Sequence, residues 1–314
     1  MSIIKNLLSS TAFFRDKNID VKNEYSNDPY PKCFLVTSVD DGTRFKVRIS
    51  LNESESTVKK ELRVLQYLRE NNVKSIPNIY DYSLSKGSHI LICEYFDGMS
   101  LEKFDDLTKK ELKVIRADLL TIISEFRTLE HHHCKSYSQI YSSWYDYFIC
   151  KMQEHISSKE NEVVFSPKEI LTIQQICRSF EKEMKAKKNF FIHYDIKPKN
   201  IVYNRANQKA YLIDYELGRF GDNLMELARL RSFCDDRNYL DEIVNPIIEH
   251  FGVNRMLGKN LFTLYLLYCH IVFHRYYYAV FLDTRSLYHF GEAERYKKES
   301  RNHFLFLCEQ VNQI

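Results

Sequence analysis

The sequence predicts an α+β protein with a small β-rich N-terminal lobe and a larger, mostly helical C-terminal lobe. Three observations lead there. Strand-like alternation of apolar and polar residues dominates up to residue 96, with one helical interruption. Helix-period apolar spacing fills most of the remaining chain. A short island of strands, between residues 189 and 214, breaks the helical part. Asp97-Gly98 is the natural break, which gives lobes of 1–97 and 98–314.

Residues 33–39 form an apolar run rich in strand formers, and Asp40-Asp41-Gly42 is a hairpin turn signal. Residues 43–50 then alternate, with Phe45, Val47 and Ile49 on one face and Lys46 and Arg48 on the other. Residues 56–70 carry Val58, Leu62, Leu65 and Leu68 at helical spacing, and 90–96 read as another strand. Helices are expected over 107–131, 138–156 and 166–188. The last begins with Ser166-Pro167-Lys168-Glu169, which supplies a cap, a proline at the first helical position and a glutamate three residues after the cap. Within the island, 189–193, 200–203 and 210–214 are strands, with a polar turn at 204–208. From Leu224 the chain is helical again. The most apolar stretch, 261–282, is interrupted by His270, His274 and Arg275, so it predicts a buried helix rather than a membrane span.

Composition narrows the function. The chain has 314 residues but only 8 glycines, where average usage would give about twenty. No two glycines are two or five positions apart, which excludes both G-x-G-x-x-G and the Walker A loop. Phosphate handling must then rest on side chains, a metal ion or a backbone less dependent on glycine. A net charge of +3 with no basic tail argues against a nucleic-acid partner. The 8 cysteines are scattered, none in C-x-x-C, as expected for reduced thiols. The N-terminus has no long apolar core of the signal-peptide kind, so a cytoplasmic location is expected. Nothing in the sequence fixes the oligomeric state.

The chemistry is concentrated in His193-Tyr194-Asp195-Ile196-Lys197-Pro198-Lys199-Asn200, followed by Leu212-Ile213-Asp214-Tyr215-Glu216. An H-x-D-x-x-x-x-N loop with a downstream Asp on a hairpin is the phosphoryl-transfer arrangement of the two-lobed protein-kinase-like fold. In it Asp195 orients an acceptor hydroxyl and takes its proton. Asn200 and Asp214 offer oxygen ligands to Mg²⁺, which bridges the phosphates of ATP. Lys197 is set toward the γ-phosphate. The N-terminal lobe supplies the matching cation: Arg48 on the third strand, with Glu61 on the next helix to hold it and Lys46 as the alternative phosphate contact. The strand at 90–96 is the expected hinge, where backbone groups of Glu94 and Phe96 meet the adenine edge.

Over most of its length the chain resembles the aminoglycoside phosphotransferase and choline kinase branch of that fold. The resemblance rests on Arg44 to Arg48, Glu61, Ser75-Ile76-Pro77, Glu94 to Gly98, the catalytic loop, Ile213 to Glu216, Gly221-Asp222 and Glu226-Leu227-Ala228. It implies ATP, Mg²⁺ and transfer of the γ-phosphate to a hydroxyl of a small molecule. Asp195 is then the base, Asn200 and Asp214 the metal ligands and Arg48 the phosphate-positioning cation. Glu226 stands where the branch usually has Asp, which leaves the role of that carboxylate open.

Lys197 instead resembles protein Ser/Thr kinases. The A-P-E motif that closes their activation segment is missing, however, and a helix begins soon after Asp222. A small-molecule kinase is therefore favoured over a protein kinase, and both over a pseudokinase acting as a binding module. His131-His132-His133-Cys134 reads as a helix end rather than a metal site, because consecutive helical residues point apart. Trp144, Tyr145, Tyr147 and Tyr276-Tyr277-Tyr278 read as core rather than a cation-binding box. Asp235, Asp236, Asp241 and Glu242 read as a solvated helix face.

Overall fold

A computed structural model of the chain describes residues 2–23, 32–51, 57–131, 134–135, 140–233, 236–253 and 256–311. The chain divides into two compact units, Met1–Glu125 with Pro198–Gly218, and Phe126–Lys197 with Arg219–Ile314.

The first unit opens with α1 (Ser2–Ser9) and continues with β1 (Ile19–Asn23), β2 (Lys32–Ser38), β3 (Arg44–Leu51), α2 (Thr57–Glu70), β4 (Ile79–Ser85) and β5 (Ser88–Glu94). The strands form one antiparallel sheet in the order β1-β2-β3-β5-β4. The turn between β2 and β3 is where the sequence puts it. Gly42 has φ +71, a conformation glycine adopts at no steric cost, and its amide donates to the Ser38 carbonyl at 2.9 Å. The alternation of β3 is the alternation of burial: Phe45, Val47 and Ile49 join Phe34, Val36, Ile90 and Ile92 in the core, closed by Leu8 and Phe14. Lys46 and Arg48 occupy the opposite face, and α2 packs against the same strand. β6 (Met99–Ser100) and α3 (Lys109–Phe126) come next.

The helix expected over 107–131 stops at Phe126, because the chain beyond it is claimed by strand pairing. β7 (Glu130–His131) lies beside a later strand, whose Phe191 amide donates to the Leu129 carbonyl at 3.0 Å. His131 therefore sits in a strand rather than at a helix end, while His132 and His133 lie outside the described residues. β8 (Cys134–Lys135) pairs with β9 (Ile140–Tyr141). α4 (Trp144–Ile156) starts six residues later than the pattern suggests, where Ser143 caps it by accepting from the Asp146 amide at 3.2 Å. α5 (Pro167–Ser179) begins with the expected capping box of Ser166 and Glu169. The periodic run to 188 is broken at Phe180, after which α6 (Glu181–Lys185) resumes.

β10 (Asn189–Ile192) is the central strand of a small sheet in the second unit. The chain then returns to the first unit as a hairpin, β11 (Ile201–Asn204) and β12 (Lys209–Leu212), with β6 on its other edge. It re-enters the second unit at β13 (Arg219–Gly221), which pairs with β10. Helices complete that unit: α7 (Asn223–Ser232), the single turn α8 (Arg237–Tyr239), a π-helical turn at Leu240–Val244, α9 (Asn245–His250), α10 (Met256–Thr284) and α11 (Leu287–Val311). No helix among the described residues is long and apolar enough to cross a membrane.

The core of the second unit is aromatic, as the composition suggests. Trp144 is 1% exposed and donates from Nε1 to the Tyr265 hydroxyl at 2.8 Å, which donates in turn to Asp222 at 3.0 Å. Tyr145 and Tyr147 are buried with it, whereas Tyr276 faces solvent. The indole lies so close to β13 that Gly221 has no room for a side chain: a Cβ there would overlap the Trp144 ring. Gly221→Ala is accordingly expected to destabilise the protein by about 1–3 kcal/mol through overpacking. Thermal unfolding checks this, and an unchanged midpoint would show that the ring has somewhere to go.

Candidate active site

In the first unit, β3 presents Arg48 to three carboxylates. Its Nη1 donates to Glu61 Oε2 at 2.5 Å and to Asp214 Oδ1 at 2.8 Å, and its Nη2 to Glu216 Oε2 at 2.5 Å. Arg48 is 7% exposed and Glu61 3%. The partnership is what makes this burial tolerable, since an unpaired buried charge costs several kcal/mol. Burial works against the guanidinium charge, but Glu61, then Asp214 and Glu216, outweigh it and hold the group well above its usual range. Glu216 is pushed up by burial, against the pull of Arg48. Lys46 lies two residues earlier on the same strand face and reaches only 3.9 Å from Glu61. Of the two candidate cations, Arg48 is thus the one held by Glu61 and by Asp214.

The β11–β12 hairpin brings Asn200 and Asp214 into this neighbourhood. Its register pairs Ile201 with Leu212, and beyond that pair the Ile213 amide donates to the Asn200 carbonyl at 2.9 Å. Asn200 is buried. Asp214 takes φ +73, in the left-handed region that Asp tolerates better than bulkier residues. The next residue, Tyr215, donates its amide to Glu61 at 3.3 Å, so α2 grips both the cation and the backbone beside Asp214. Asn200, Asp214 and Glu216 are an all-oxygen donor set, the chemistry Mg²⁺ prefers. At the end of β5 the Glu94 amide donates to the Asn78 carbonyl at 2.8 Å. The Phe96 ring stacks on Tyr211, with centroids 4.0 Å apart. A cavity of about 420 Å³ beside them is lined by Ser75, Pro77, Asn78 and Lys209 among others.

In the second unit, the loop after β10 carries Asp195 and Lys197. Asp195 is 6% exposed. Its Oδ2 lies 2.6 Å from Lys197 Nζ and its Oδ1 lies 3.6 Å from Arg229 Nη2. Two features of α7 shape the loop backbone. Glu226, 1% exposed, accepts from the His193 amide at 2.7 Å and the Tyr194 amide at 2.8 Å, one with each carboxylate oxygen. Arg229 donates from Nε to the Tyr194 carbonyl at 2.9 Å. These bonds offset the cost of Tyr194, a bulky residue at φ +68. Burial pushes Glu226 up to about 7, against the two amides that favour its charged form. The open question about Glu226 has a structural answer: its carboxylate ties down the backbone immediately before Asp195.

The model of the phosphotransferase enzyme family matches residues 31–252, well over half of the chain. The chain belongs to this family. No curated protein matches it in sequence. Solved structures do in fold. Aminoglycoside phosphotransferase APH(4)-Ia is 15% identical, with a TM-score of 0.66 over 96% of this chain and 98% of that one. A thermostable mutant of it, solved as a ternary complex with AMP-PNP and hygromycin B, is 16% identical with a TM-score of 0.65, over 97% and 98%. The choline kinase LicA from Streptococcus pneumoniae is 15% identical with a TM-score of 0.61, over 96% and 98%. The fold class expected from the sequence, a β-rich N-terminal part and a helical C-terminal part of the kinase-like kind, is the one observed, and the enzyme class, an ATP-dependent phosphotransferase, stands with it.

Sequence reasoning did not single out two residues that contact the phosphotransferase's candidate site residues. Glu216 shares Arg48 with Asp214, and its only signal was its place two residues after that aspartate. Arg229 backs Asp195, and its only signal was its place three residues after Glu226, on the same helical face.

Proposed function

We propose that this phosphotransferase moves the γ-phosphate of ATP to a hydroxyl group of a small molecule. The observation that carries the reading is Arg48 bonded at once to Glu61 and to Asp214. That is the cation, helix carboxylate and metal-ligand aspartate that phosphoryl transfer requires in a fold of this kind. Asn200 and Asp214 would hold Mg²⁺, which supplies charge neutralisation on the phosphates when bound. Arg48 positions the phosphates, with Glu61 keeping the guanidinium in place, and Lys46 adds positive charge on the same strand face. Asp195 orients the acceptor hydroxyl and takes its proton. Lys197, already beside Asp195, is set toward the transferred phosphate. Glu94 and Phe96 are the proposed backbone contacts to adenine.

The test uses labelled ATP and Mg²⁺ with a panel of hydroxyl-bearing metabolites, a panel of protein substrates, and Asp195→Asn alongside. Label on a small molecule, lost in the variant, is the expected result. Label on protein alone would make the chain a protein Ser/Thr kinase, and no turnover with any acceptor would leave the binding-module reading.

Arg48→Lys keeps the charge but gives up the planar fork that reaches three carboxylates. Losing one charge-assisted hydrogen bond costs about 1.5–3 kcal/mol. The Michaelis constant for ATP is therefore expected to rise about tenfold or more. Steady-state kinetics at varied ATP measures this, and an unchanged constant would shift the positioning role to Lys46.

A further inference from the structure

The two longest helices, α10 and α11, form a hairpin whose turn is at Arg285. Well down that hairpin, His270 of α10 faces Glu299 and His303 of α11. One ligating atom from each of the three lies within 4.8 Å of those of the other two. Glu299 and His303 are four residues apart, one helical turn, so their side chains share a face. The imidazoles of His270 and His303 stack with centroids 5.0 Å apart. His270 is buried, and its Nδ1 has no hydrogen-bond partner among the described residues. Buried polar atoms in proteins are nearly always satisfied, so an orphaned ring nitrogen beside a second histidine and a glutamate calls for a ligand.

We propose that His270, Glu299 and His303 form a binding site for a divalent transition metal, with zinc the best fit. Two imidazoles and a carboxylate are a donor set zinc favours, and three protein ligands leave a fourth position for water. Zinc bonds of about 2.1 Å put tetrahedral ligands about 3.4 Å apart. The ligating atoms now lie within 4.8 Å of one another, so the side chains have to close by up to about 1.4 Å to reach that geometry. Both imidazoles are held in the neutral form a metal requires. Burial lowers His303 to about 4 and takes His270 well below its ordinary value. Arg231 and Arg295 bring positive charge toward His270. Arg295 is itself paired with Glu292 at 2.7 Å, which offsets part of that charge. The bound metal would staple α10 to α11 some fifteen residues from their turn, a structural rather than catalytic role.

The test is a titration of chelator-treated full-length protein with Zn²⁺ and with Co²⁺, in excess Mg²⁺ so that oxygen-ligand sites are occupied. One equivalent is expected to bind, and zinc raises the thermal midpoint. The cobalt form should show visible d–d bands without a thiolate charge-transfer band. His303→Gln and Glu299→Gln, both at half-exposed positions, should each weaken binding about tenfold or more. Their midpoints without metal report that they still fold. Asp214→Asn and Cys150→Ser should bind zinc like the parent. No stoichiometric binding, a thiolate band, or parental affinity in both ligand variants would overturn the proposal.

Discussion

Asp195→Asn is expected to lower turnover by about 10²–10⁴-fold, the usual worth of a positioned general base. The amide keeps the shape of the side chain, so acceptor and nucleotide should still bind, with Michaelis constants changed only a fewfold. What is lost is the proton acceptor. The loss has a second component. Lys197 lies 2.6 Å and the buried Arg229 3.6 Å from the carboxylate. An asparagine cannot balance those two cations, so a modest fall in the thermal midpoint accompanies the loss of activity. Measuring both quantities separates the contributions. Restoring charge balance with Lys197→Met in the Asp195→Asn background should recover part of the stability and none of the turnover. A variant that turns over within threefold of the parent would remove Asp195 from the base role.

Glu226→Ala carries the next largest effect, and it falls mainly on stability. Two buried backbone amides, those of His193 and Tyr194, lose their acceptor together. Each costs about 1–3 kcal/mol when left unsatisfied. A loss of about 2–5 kcal/mol is expected, which for a protein of this size lowers the midpoint by about 3–8 °C. Activity measured well below that midpoint should fall about tenfold in turnover, because Asp195 comes directly after the released backbone. Glu226→Asp should be intermediate, since the shorter chain has to reach the same two amides. The pH dependence has a defined sign. Burial raises Glu226 from its ordinary value to about 7. Its contribution is therefore greatest below the unfolded value of 4.5 and declines as pH rises from there through about 7, where the charged form must be buried. Glu226→Gln should flatten that part of the stability profile. If Glu226→Ala kept the parental midpoint and turnover, the proposed hold on the loop would be wrong.

Much of this was legible in the sequence, for an identifiable reason. The alternation in β3 is local, so it placed Arg48 on the face opposite Phe45, Val47 and Ile49. The pairing of Arg48 with Glu61 was legible only through the likeness to the strand cation and helix carboxylate of the kinase-like fold. The H-x-D-x-x-x-x-N loop and the Asp214 hairpin were also readable, since turn chemistry and fixed spacing are local properties. What could not be read depends on contacts between distant residues. Glu216 meets Arg48 across 168 positions, and Glu226 meets the His193 amide across 33. Backbone amides leave no trace in a side-chain pattern, which is why the role of Glu226 stayed open. The helix ends failed for a related reason. Periodicity continues past Phe126 and Phe180, but pairing of β7 with β10 takes over at the first. At the second, α5 ends and α6 starts afresh.

The single tryptophan of the chain turns the second unit into its own reporter. Trp144 is sealed beneath Gly221 and bonded to Tyr265, so its emission responds to the packing of α4, β13 and α10. Tryptophan fluorescence therefore watches the second unit alone, whereas far-ultraviolet circular dichroism sums over both. Coincident unfolding curves would mean that the two units melt as one cooperative system, and separated curves would give the stability of each.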